Sequence, residues 1–198
     1  MTQILKSLEE ITSGYSYFEK DQVLTATQLN SVSGYSEDQT RLTRTKLLGV
    51  GLICGLEVSY TGNQVTVSAG MGVTTDGDLL YYSPDVQFTQ FKLYDDKNPV
   101  YAPFYRDGVM IPVYELIPKD AGDKRSFPLE QFSAKSDLKL EQMVTLLFME
   151  SYIFDPDQCA GTDCNNAGQK MTNNQRVLLV SKEYIGFLKS LVHTPHQP

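Results

Sequence analysis

The sequence predicts an α+β fold: a long polar N-terminal helix, then a small antiparallel β-sheet or sandwich, then a short C-terminal helix. Three observations carry this. A polar stretch with helix-capping residues fills Leu24–Leu48. From Gly49 the apolar period falls to two, and turn residues separate short runs. Near the end, Tyr184, Phe187, Leu188 and Leu191 return to helical spacing. The change of period divides the 198 residues into a helical segment, 1–48, and a mainly β region, 49–198.

The elements follow in order. Leu5, Leu8 and Ile11 share one face of a short first helix, which Gly14 ends. In the long helix, Thr25 is the N-cap and Gln28 completes a capping box. Gly49 is its C-terminal stop. Leu29, Val32, Leu42, Leu47 and Leu48 are too sparse to hold such a helix on a core of its own, so it needs neighbours. Val65, Val67 and Ala69 alternate with polar residues as a half-buried strand. Asp76-Gly77 is a hairpin turn, and Leu79–Tyr82 is the returning strand. Val86–Tyr94 alternates again. Residues 95–137 form a long Pro-rich loop, inside which Gly108–Ile117 reads as an edge or bulged strand because of Pro112. Val144–Glu150 reads as a strand buried on both faces, Arg176–Val180 as a final strand, and Lys182–Val192 as a helix capped by Ser181.

Composition excludes several classes of function. The net charge of −7 argues against nucleic acid, whose phosphates need a basic face. No apolar run approaches the roughly 20 residues of a membrane-spanning helix. The N-terminus lacks the apolar core of a secretory signal, so the expected place of synthesis is the cytoplasm. The two histidines, His193 and His196, lie in the final six residues, an unsuitable place for a positioned general base. The Gly49–Gly55 run lacks the Gly-Lys-Ser/Thr of a phosphate loop, since Leu56-Glu57 follow it. No catalytic constellation and no cofactor is expected.

Two clusters have more than one reading. Asp155, Asp157, Cys159, Asp163 and Cys164 share a short loop. Simple loop thiols, a local Cys159–Cys164 disulfide and a metal site all fit it, although the calcium-loop pattern is misplaced and a zinc site lacks its second ligand pair. Cys54 lies in the apolar run Leu47–Leu56 and reads as a small buried residue. Arg41, Arg44 and Lys46 sit late in the long helix, where they either oppose its dipole or meet acidic groups on another subunit.

The run Tyr17–Asn30 (YFEKDQVLTATQLN), then Gln39–Arg44 (QTRLTR), then Leu48–Val58 (LGVGLICGLEV) resembles a block in bacterial proteins of phage-tail-like contractile injection systems, many of them from Bacteroidetes. Val65–Gly70 and Val73–Gly77 resemble the hairpin that follows it, and residues 140–182 resemble these proteins loosely. The resemblance implies a structural component of a baseplate, tail-fibre attachment or cap adaptor, with no catalytic motif. Its partners would be sheath, tube, baseplate or fibre proteins and further copies of itself, in a particle released from the cell. Leu29, Asn30, Arg41 and Arg44 are then the expected interface residues. Two other classes of function compete with this one: a metal-binding cargo or effector protein, and a carbohydrate-binding surface module suggested by the 12 tyrosines.

Overall fold

The computed structural model of the protein describes residues 11–94, 104–154 and 170–192. Helix α1 spans Ala26–Thr43, two residues shorter at its start than expected, and closes in a wider π turn, Arg44–Leu48. Its capping box is formed as read: the Gln28 N–H donates to Thr25 Oγ1 at 3.3 Å, and the Thr25 N–H donates to Gln28 Oε1 at 3.1 Å. Gly49, at φ 92°, ends the helix. Of the short first helix only Ile11 falls among the described residues.

Six strands follow: β1 (Gly51–Gly55), β2 (Val58–Thr61), β3 (Gln64–Val67), β4 (Gly70–Val73), β5 (Leu79–Tyr82) and β6 (Val86–Leu93). They form three bent antiparallel passes. β1 and β2 make the first, β3 and β4 the second, β5 and β6 the third. The upper halves pair as a three-stranded sheet, β1-β4-β5. The lower halves enter a seven-stranded sheet. It is completed by β9 (Val113–Pro118), β10 (Phe127–Pro128), β11 (Met143–Phe154) and β12 (Lys170–Ser181), in the order β11-β12-β9-β6-β3-β2 with β10 beside β6. A two-residue hairpin, β7 (Tyr105–Arg106) with β8 (Val109–Met110), stands apart. Helices α2 (Phe132–Ser136) and α3 (Lys182–Val192) flank the strands.

The main sheet is therefore larger than the small sheet or sandwich expected, and it curls into a half-barrel. Its two faces bury different side chains, as β12 shows by alternation. Val177 and Leu179 pack with Phe88, Phe91, Leu116 and Phe132. Leu178 and Val180 pack on the opposite side with Phe104, Ile111 and Val113, against Tyr184 and Phe187 of α3. Two sequence readings are corrected here. Gly108–Ile117 is not one edge strand: Pro112 falls in the gap between β8 and β9, so β9 sits inside the sheet between β12 and β6. β11 is the sheet's edge. Of its characterised side chains only Met143 is buried and the rest are half-buried; among the described strands none lies beyond it. Ser181 behaves as read, its hydroxyl accepting from the Glu183 N–H at 3.4 Å.

Candidate docking surface

The apolar surface of the protein is unevenly placed. Among the described residues, 15 of the 19 exposed large apolar side chains precede residue 82. Five of these precede α1, Leu29 lies on it, and seven run from the π turn through the first pass. Of the eleven residues Gly51–Thr61, ten are exposed, Leu56 being the exception. Leu52 is 67% exposed, Ile53 53% and Tyr60 49%. Cys54, expected inside, is also exposed. The correction has a physical cause. The apolar run forms the outermost pass of both sheets, so among the described strands none lies beyond it. Proteins ordinarily blunt such an edge with charge, proline or a covering element, and contiguous exposed apolar surface marks an interaction site. Glu57 is the one charged residue of the pass.

Glycine sets the bend of this pass. Gly55 (φ 58°) and Leu56 (φ 57°) take left-handed backbone conformations between β1 and β2. Gly55 faces Gly70 in the ladder. A Cβ on Gly55 would lie 1.9 Å from the Ala69 carbonyl oxygen, and one on Gly70 would lie 2.3 Å from the Cys54 carbonyl oxygen. The two backbones touch there only because neither residue has a side chain.

Helix α1 is held to the body by polar contacts rather than a core; its one buried residue is Asp38. Thr12 donates to the Asp38 carboxylate from its N–H (3.1 Å) and its hydroxyl (2.9 Å). Arg41 meets the turn between β4 and β5: its guanidinium pairs with Asp78 at 2.7 Å and donates to the Asp76 carbonyl at 2.7 Å. Arg44 donates to the Gly77 carbonyl at 3.2 Å. Burial raises the Asp76 and Asp78 carboxyls above the ordinary range, against the pull of Arg41. Arg41 is thus paired within its own chain, with 18% of its side chain exposed. Neither the helix dipole nor an acidic group on another subunit is needed to place it. Leu29 and Asn30 are exposed on α1. Asp155, Asp157, Cys159, Asp163 and Cys164 lie outside the described residues, and among the described residues no cluster of His, Cys, Asp or Glu could hold a metal.

A second polar cluster escaped the sequence reading. Glu150, Arg176, Glu115 and Lys92 cross one face of the sheet on β11, β12, β9 and β6, and Asp123 closes the row. Arg176 pairs with Glu115 and Glu150, each at 2.5 Å, and Lys92 pairs with Glu115 at 3.2 Å and Asp123 at 2.7 Å. Burial works against the charge on both cations, but the carboxylates outweigh it and raise both affinities for the proton. The Lys92 hydrogen bond holds the Asp123 carboxyl below its usual range. Each carboxylate faces a cation, so the row works as a clasp across four strands. Alternating acid and base on neighbouring strands was its only sequence signal. No protein-family model matches the sequence, and no curated protein matches it significantly. No described helix is long and apolar enough to cross a membrane.

Proposed function

We propose that the protein is a non-enzymatic structural subunit, an adaptor or cap, of a phage-tail-like contractile injection particle, and that it works by docking to other particle proteins. The observation that carries the reading is the exposed apolar pass Gly51–Thr61, unpaired along its outer edge among the described residues and continuous in sequence with α1. An unpaired edge offers backbone donors and acceptors as well as apolar side chains, which suits strand addition by a neighbouring protein. The same residues lie in the block Tyr17–Gly77 that resembles injection-particle components. The helix held by a few polar contacts adds a second surface for neighbours.

The test is co-purification. Intact particles isolated from the native cell should contain the protein together with sheath, tube or baseplate proteins. Its absence from such particles would overturn the proposal.

A further inference from the structure

We propose that α1 and the chain just before it form a latched arm, which swings away from the sheet on Gly49 and Gly51 while the sheet stays folded. The motion belongs to the free chain and does not depend on a place in a particle.

The arm is tied to itself first. The Ser16 and Ser31 hydroxyls share a hydrogen bond at 2.8 Å, the Tyr15 and Tyr35 rings lie 4.9 Å apart, and Thr12 holds Asp38. The segment from Thr12 to Ser16 therefore travels with α1. Among the described residues, neither apolar cluster of the sheet includes a residue of α1 or of the π turn. Elements with few buried apolar contacts are the ones that open below global unfolding.

The latch is the turn Asp76–Asp78, gripped by Arg41 and Arg44. Gly77 seats the helix there: a Cβ on it would lie 2.9 Å from both the Cα and the carbonyl oxygen of Arg41. Arg41 keeps a partner when the latch opens, because Glu37, one turn back on the same helix, pairs with it at 3.0 Å and moves with it. Opening also returns the Asp78 carboxylate to water.

The connection to β1 supplies the hinge. Gly49 has φ 92° and ψ 161°, a region that is essentially reserved for glycine. Gly51 has φ 135°. A Cβ on either would meet nothing within 4 Å, so no neighbouring atom wedges the linker in place.

The distance between two nitroxide labels tests this, one at Ser33 on α1 and one at Lys119 after β9, both exposed, in the full-length protein with its three cysteines replaced by serine. With the latch and hinge intact, one closed distance should dominate. Arg41→Met should raise the ratio of open to closed about tenfold or more, since hydrogen bonds of a charged group are lost. Gly49→Ala should act by a similar factor from the other end, because alanine resists the closed backbone and opening relieves it. Combined, the two should make a longer, broader distance dominant, with amide exchange in β9 and β12 still at the wild-type rate. A double variant that keeps the closed distance overturns the proposal. So does a double variant that fails to fold, or one whose β9 and β12 exchange as fast as α1, because arm and sheet then open as one unit.

Discussion

Replacing Gly70 with alanine tests the packing at the bend of the first pass. The new methyl would stand 2.3 Å from the Cys54 carbonyl oxygen, 2.4 Å from the Leu56 nitrogen and 2.7 Å from the Gly55 carbonyl carbon. All three are backbone atoms, so no side chain can swing aside. The strands must separate by about 1 Å to reach ordinary contact, which strains the Gly55–Gly70 pairing. Overpacking of this kind costs about 1–3 kcal/mol, and a weakened ladder hydrogen bond adds about 1 kcal/mol. At about 3 kcal/mol in total, a chain of this size should melt ~6–12 °C lower. Gly186 is the control, since a Cβ there meets nothing within 4 Å and the residue lies inside α3. Gly186→Ala should stabilise by about 0.5–1 kcal/mol. Calorimetric melting of the two variants reads opposite signs. A Gly70→Ala melting point within ~2 °C of wild type, the range of an ordinary surface change, would refute the close approach.

Three further predictions concern the polar contacts. Arg176→Met leaves Glu115 and Glu150 half-compensated; because Lys92 still faces Glu115 and Arg176 is partly exposed, the loss should fall to about 2–3 kcal/mol in urea unfolding, with a smaller loss when Glu150→Gln is added. Lys92 has its proton affinity raised by folding, so its stabilisation is complete below the unfolded value of 10.5 and is lost as pH rises through the folded value; Lys92→Met should flatten the alkaline limb of a stability–pH curve, and an unchanged limb counts against the clasp. Arg41→Met removes the pair with Asp78 and should speed amide exchange in α1 while leaving exchange in β9 and β12 unchanged.

Local signals in the sequence were readable where local chemistry decides. Thr25 with Gln28, the Asp76-Gly77 turn and the apolar face of Lys182–Val192 each depend on neighbours a few residues away. The long-range pairings were hidden. Arg176 meets Glu115 and Arg41 meets Asp78 across 61 and 37 positions, and only strand order brings them together. The Arg41 contact had one usable clue, two acids in a hairpin turn beside an otherwise acid-poor helix end. Leu52, Ile53 and Cys54 misled in another way. An apolar run reads as core, but whether a strand is central or outermost is a property of the whole sheet. Arg41 and Arg44, expected at an interface, make contacts to the turn between β4 and β5 of their own chain.

The central claim is that the first pass docks this protein into a particle. Its most direct measurement is the amount of Ile53→Lys protein in purified intact particles, relative to sheath protein, beside wild type made at the same level. A variant that keeps the wild-type melting temperature yet is lost from particles is the predicted result. Equal incorporation of variant and wild type would contradict it.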